Sequence, residues 1–213
     1  MSKQRPIILI GGGGHCMSVI EAAESAGAAI LGILDAPEMV GRHLLGHPFI
    51  GTDTDITLHA AHADFIVCVG SISNADTRYK LYHQVLAAGG QLGCIVASTA
   101  RVSRHAHIGP GTVVLHHALV NAGAQVGENC IINSHANVEH GCTIGSHVHL
   151  STAATINGDC HIGEKSFIGS RSIVYQGCSI PGNCVIAAGS VVRNSLSKAG
   201  VYAGNPATLK KTR

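Results

Sequence analysis

The chain has 213 residues, 46% of them hydrophobic and 12% charged, with 27 glycines, 3% aromatics and no Trp. This balance describes a packed protein rather than a disordered one, with a core of Val, Ile and Ala that must stack regularly because few large rings are available to fill space. A formal net charge of +2, with no basic stripe and no stacking aromatic platform, excludes nucleic acid as an expected partner.

Taken from the N-terminus, Met1–Pro6 is polar and runs directly into the strand-sized apolar segment Ile7–Ile10. No export signal is therefore expected, and no apolar run reaches the roughly 18 residues of a membrane helix, so no transmembrane segment is expected either. The eight cysteines are then expected as reduced thiols in the cytoplasm. After Ile7–Ile10 come Gly11, Gly12, Gly13, Gly14 and His15. Cys16–Ala26 reads as a helix stopped by Gly27, and Ile30–Leu34 as a strand ending at Asp35. Phe49-Ile50 belongs to a short element. Phe65–Val69 is a third strand closed by Gly70-Ser71, and Ala75–Ala88 a helix stopped by Gly89-Gly90. Strands alternating with helices imply a parallel sheet with crossovers, so residues 1–93 are expected to form a small Rossmann-like α/β domain.

The remainder, residues 94–213, is a repeat. Counting by six from Val96 to Val192, all seventeen positions are Val, Ile or Leu. Two residues before each aliphatic, from Ala100 to Ser190, stands Ala, Cys, Ser, Thr or once Val. Glycine follows the aliphatic at 109, 127, 145 and 163, a period of 18. A hexad with an 18-residue super-period describes a triangular coil: each hexad makes one flat face, three make a turn, and turns stack at about 4.8 Å. The aliphatics point inward, the small residues sit near the corners, and glycine is expected to serve turn conformations. Cys130, Cys142, Cys160, Cys178 and Cys184 all fall in the small-residue series and read as stacked packing residues.

Two features carry chemistry. Gly11–Gly14 lies between a strand and a helix, which presents backbone N–H groups and a helix N-terminus at a sheet edge, an anion site suited to phosphate. The full dinucleotide fingerprint is absent, since its third glycine falls on Cys16. Asp35 is placed to reach a ribose or base. Among fifteen histidines, His107, His149 and His161 each precede an inward aliphatic and should point out of the coil. His117 and His135 should stack one above the other, and His140 follows Glu139 on a turn of the central coils. An imidazole near neutral pH suits deprotonation of an amine or hydroxyl, with a neighbouring carboxylate to orient it.

With these residues in hand, the chain resembles the hexapeptide-repeat sugar acetyltransferases, nearest to the bacterial nucleotide-sugar N-acetyltransferases that act on UDP- or GDP-linked 4-amino-4,6-dideoxy sugars. The resemblance covers nearly the whole chain. It rests on Ile7–His15, on Leu34-Asp35, on Asn133 followed by Val138-Glu139-His140-Gly141-Cys142, on His149, and on Gly204-Asn205-Pro206-Ala207. It implies that the coil is a left-handed parallel β-helix, that the protein is a homotrimer with active sites between subunits, and that acetyl-CoA is the cosubstrate with no metal. By position it implies His140 as general base with Glu139 beside it. It implies Gly13, Gly14, His15, Asp35 and Asn133 on the nucleotide-sugar side, and His149, Ser170 and Ala188 along acetyl-CoA. His149 or backbone N–H groups would stabilise the oxyanion. Gly141 stands where the family usually carries Asp or Glu after the catalytic histidine, which leaves Glu139 or water to orient His140; Ala36 likewise replaces a second acid after Asp35. Surface glycan or glycoprotein biosynthesis is the role implied.

Three other readings compete. Sialic-acid-type O-acetylation uses a hydroxyl acceptor. A trimeric zinc hydrolyase of the carbonic anhydrase type would draw its ligands from His117, His135 and His140. A non-catalytic nucleotide-binding scaffold is the third.

Overall fold

The computed structural model describes residues 5–72 and 75–213; the first four residues of the polar leader lie outside the described residues. In the N-terminal unit, β1 (Ile7–Ile10) is buried at every position, as an unbroken aliphatic run at the centre of a parallel sheet must be. It pairs in parallel with β2 (Ile30–Leu34) on one side and β5 (Asp64–Val67) on the other. The helix between them, α1 (Gly14–Ser25), begins two residues before Cys16, because Gly13 in extended conformation is its N-cap. His15 therefore sits in the first helical turn rather than in a loop. Cys16, Val19, Ile20 and Ala23 recur at helical spacing and form its buried stripe.

The short element expected at Phe49-Ile50 is β4 (His47–Gly51); sequence periodicity did not anticipate its hairpin partner β3 (His43–Leu44), nor the single-turn α2 (Ile56–His59). These elements are too short to carry a period. The sheet is completed after α3 (Asp76–Ala87) by β6 (Gln91–Leu92), giving the order β3-β4-β2-β1-β5-β6. The third strand stops at Val67, short of the expected Val69, and the carbonyls of Val67 and Val69 both accept from the Arg78 guanidinium.

The repeat folds as its register predicts. Seventeen two-residue strands, from β7 (Ile95–Val96) to β23 (Val191–Val192), each end on the inward aliphatic. Each strand up to Ile173–Val174 pairs in parallel with the strand 18 residues on, as in Val113-Val114 with Ile131-Ile132. The strands gather into the three sheets of a left-handed β-helix. Val138, Ile144, Leu150 and Ile156 belong to one continuous core with Cys130, Cys142, Cys160, Cys178 and Cys184, all buried and none in a disulfide. The cysteines are thus packing residues.

One detail of the turns differs from expectation. The glycines at 109, 127, 145 and 163 do not occupy the left-handed region. A Cβ on Gly109 would stand 2.6 Å from the backbone of Gly127, and one on Gly127 2.7 Å from Ser146 N, so these glycines serve close stacking of coils. The left-handed residue is instead three before each aliphatic, at every sixth position from Gly111 to Gly189, including His117, Asn129, His135, Gly141, His147 and Asp159.

The two units share a core. Cys16, Val19, Ile20 and Ala23 of α1 pack with Ile95, Ala97, Val113, Leu115 and Ile131, which line the outside of one face over the first coils. β24 (Gly200–Ala203) extends that same face and folds back antiparallel on β25 (Thr208–Thr212). Among the described residues no helix is long and apolar enough to cross a membrane.

Candidate active site

At the carboxyl end of β1 the chain turns sharply. Gly11 adopts a φ of +95°, and its N–H donates to Leu34 O at 2.8 Å. Gly12 N–H donates to Asp35 Oδ2 and Ala36 N–H to Asp35 Oδ1, so the Asp35 carboxylate holds the glycine turn against the end of β2. A cleft of about 460 Å³ opens here, lined by Gly11, Asp35, Pro37, Thr52 and Thr77 among others. It lies outside the carboxyl ends of parallel strands, where α/β sheets take ligands. α1 has no side-chain N-cap, and nothing lies within 4 Å of the positions a Cβ would take at Gly13 and Gly14. The first N–H groups of the helix are therefore open to an anion.

A second chamber, about 580 Å³, lies on the other side of the glycine turn, against the coil. His15, Asn133 and His149 converge on it with Gly70 and Ser151. His149 points out of the coil, as expected, yet it is only 6% exposed because the N-terminal unit covers it. Its Nδ1 faces Ser71 O at 2.8 Å, and a carbonyl accepts only, so Nδ1 carries the proton. Nε2 is thereby an acceptor, turned towards Asn133 Nδ2 at 3.4 Å. Asn133 Oδ1 takes the Ser134 N–H at 2.7 Å, which fixes the amide that way round. His15 Nε2 is buried without a partner, and its ring centroid lies 6.3 Å from that of His149. Ser151 Oγ meets Ser170 Oγ at 2.9 Å, which links Ser170 to the chamber; Ala188 lies on the same corner one coil further on.

Both imidazoles are held neutral. Burial, then the charge of Arg78, then His149, lowers His15 to about 3. Burial foremost, with Arg78 adding, lowers His149 to about 4, against the opposing bond to Ser71. His147, packed against Tyr79 and Tyr82, falls to about 4 by burial, His83 and Lys165. Unfolded, each titrates near 6.5. Below that value the unfolded chain takes up protons that the folded chain refuses, so stability is full above about pH 6.5 and is lost as pH falls towards 4 and then 3. Thermal midpoints measured across this range are expected to fall, and His149→Gln to flatten the slope; an unchanged slope would count against the buried neutral pair.

His140 is elsewhere. It follows a strand in a different sheet from the one preceding Asn133, with its side chain 60% exposed, so a single chain does not bring it to the chamber. Beside it, Glu139 Oε1 accepts from Asn137 Nδ2 at 2.9 Å and Oε2 from Asn121 Nδ2 at 2.8 Å. These bonds, with His140 contributing, hold its carboxyl below the usual range. Oε2 stands 4.0 Å from His140 Nδ1, an electrostatic contact rather than a hydrogen bond.

Sequence reasoning missed Asn121, Asn137, Ser71 and Arg78. The first carried a usable signal: it lies 18 residues before Glu139 and so stacks on it. Arg78 is 1% exposed and donates to Val67 O, Val69 O, Asn129 O and Gly111 O, joining the two units. His117 and His135 stack with centroids 4.9 Å apart and planes 20° apart. Stacked rings present faces to each other rather than converging nitrogens, and no group of three His, Cys, Asp or Glu among the described residues is arranged to hold a metal.

Residues 6–85 match the family described as the PglD N-terminal domain, and residues 159–194 the bacterial transferase hexapeptide (six repeats). The acetyltransferase domain of PglB from Neisseria gonorrhoeae, solved with acetyl coenzyme A, is 31% identical, with 98% of this chain and 100% of that chain covered and a TM-score of 0.91. The chain belongs to the hexapeptide acetyltransferases that carry a PglD-type N-terminal domain. PerB from Caulobacter crescentus, solved with CoA and GDP-perosamine, is 29% identical over 96% of this chain and 97% of that one, with a TM-score of 0.89. WeeI from Acinetobacter baumannii AYE, at 21% identity over 96% of this chain and 99% of that one and a TM-score of 0.86, shares the fold. Comparison with curated proteins gives no match.

Proposed function

We propose that this hexapeptide acetyltransferase moves acetyl from acetyl-CoA to the 4-amino group of a nucleotide-linked amino-dideoxy sugar, in surface glycan or glycoprotein assembly. The observation that carries this reading is the convergence of His15, from the first turn of α1 beside a nucleotide-type cleft, with Asn133 and His149 of the coil on one chamber. Residues 1–93 act as the nucleotide-sugar domain and 94–213 as the acyltransferase domain, in the cytoplasm. The nucleotide lies along Asp35, with its diphosphate on Gly13 and Gly14 at the start of α1. Acetyl-CoA runs down the corner from His149 past Ser170 to Ala188. Because His140 and the chamber lie off different faces, a homotrimer that sets one subunit's His140 against its neighbour's chamber completes the site.

In the reaction the amine attacks the thioester carbonyl. The C–N bond forms and the C–S bond breaks. His140, with Glu139 beside it, accepts the amine's proton and returns it to the departing thiolate of coenzyme A. His149 has its only N–H committed to Ser71 O, so the oxyanion takes backbone N–H groups rather than His149.

The similarity to a GDP-perosamine-binding enzyme sets the assay: UDP-, GDP- and dTDP-linked 4-amino sugars are supplied with acetyl-CoA and thiol release is followed. Release with at least one amine and none with the matching 4-hydroxy sugars is expected. Release with hydroxyl acceptors alone would favour the O-acetylation reading and overturn this one.

A further inference from the structure

His140 and Gly141 on one coil stack over Gly158 and Asp159 on the next, and Asp159 N–H donates to His140 O at 2.9 Å. Across this pair of rungs two side chains run in opposite directions. A Cβ on Gly158 would stand 2.5 Å from His140 Cε1, 2.7 Å from Nε2 and 3.1 Å from Nδ1, so the imidazole lies across Gly158. A Cβ on Gly141 would collide with Asp159 Oδ1, so the Asp159 carboxylate reaches back over Gly141. Ring and carboxylate thus pass each other over two glycines.

The turn does not demand either glycine. The left-handed position that Gly141 fills, at φ +67°, is filled by His, Asn, Ala, Lys and Arg at other corners and by Asp159 itself at +59°. Gly158 is not in that region at all, and the equivalent positions hold Ser134, Ser146, Thr152 and Ser170. What both glycines supply is room for the crossing side chains. Glu139 makes no hydrogen bond to His140; Asn121 and Asn137 each bond one of its oxygens.

We propose that Asp159 is a positioning residue of the acetyl-transfer site: carried by the neighbouring coil, its carboxylate supplies the anionic partner beside His140 that residue 141 does not carry. This rests on His140 acting as base. Glu139 on the coil of His140 and Asp159 on the next both face the Cys142 thiol, whose ionisation their charges oppose.

The test uses the full chain. Asp159→Asn keeps shape and tolerates the left-handed turn. It is expected to lower kcat about tenfold or more, with both KM values within about twofold and the thermal midpoint unchanged. The double variant Gly141→Asp/Asp159→Gly moves the carboxylate from the lower coil to the upper one and is expected to recover kcat to within about threefold of the parent. Wild-type kcat in Asp159→Asn, or a double variant no better than Asp159→Gly alone, would overturn the proposal. A readout without substrate separates this inference from the functional reading. In labelled protein, with His140 assigned by its loss in His140→Asn, the ring nitrogen shifts should move towards those of free imidazole in Asp159→Asn. Unmoved shifts overturn the role of Asp159 even if the enzyme acetylates sugars; moved shifts support it even if no sugar is acetylated.

Discussion

His140→Ala is expected to lower kcat by about 10²–10⁴ while leaving both KM values nearly unchanged. An amine in flight towards a thioester carbonyl becomes cationic as the C–N bond forms, and a base in reach removes that charge in the transition state. The contribution appears in kcat because the ground-state complex does not use it. The surroundings of His140 suit this work. Its side chain is exposed in the single chain, as the proposed site between subunits requires. Glu139, fixed by Asn121 and Asn137, places a negative charge 4.0 Å from Nδ1 and favours the imidazolium that forms. Steady-state kinetics on the variant decide the matter, and turnover within threefold of the parent would remove His140 from the role. A loss that falls on KM instead would recast it as a binding residue.

The largest expected effect on stability is at Arg78. Arg78→Met should destabilise the protein by about 3–5 kcal/mol, read from denaturant unfolding. The guanidinium is buried without a carboxylate partner among its hydrogen bonds. Four backbone carbonyls take its place: Val67 at the end of β5 and Val69 beyond it, Gly111 and Asn129 from two successive coils. Methionine fills much of the volume and satisfies none of them. Burial lowers the guanidinium to about 10, which still leaves it charged at neutral pH. The same charge helps keep His15 and His149 neutral. Arg78→Met should therefore also ease protonation of His149, seen by histidine titration. A variant as stable as the parent would mean that water replaces the guanidinium at little cost.

The β-helix was legible because its period is a property of many residues at once: an aliphatic at every sixth position from Val96 to Val192 admits one register. The same register foretold the stacking of His117 on His135 and the burial of five cysteines. It did not foretell that His149, although directed out of the coil, is buried, because covering it depends on Ser71 and on α1, far away in sequence. Nor did it give the tautomer of His149, which one carbonyl decides. The hairpin from His43 to Gly51 was legible only as a short element at Phe49-Ile50, since the two-residue strand His43–Leu44 carries no periodicity. Gly141, which in sequence reads as a missing acid, is in space a slot occupied from the coil beneath.

The left-handed corner that recurs from Gly111 to Gly189 makes the coil a device with discrete steps. Removing or inserting 18 residues anywhere along it returns every face to its original bearing and merely shortens or lengthens the ruler on which Asn133, Ser170 and Ala188 are marked. Removing 6 turns everything beyond by a third of a revolution and carries the corner bearing Ser170 and Ala188 away from its place beneath Asn133. Length variation in such a chain is therefore quantised, and it can alter the reach of the proposed acyl-donor groove while leaving the geometry of each corner intact.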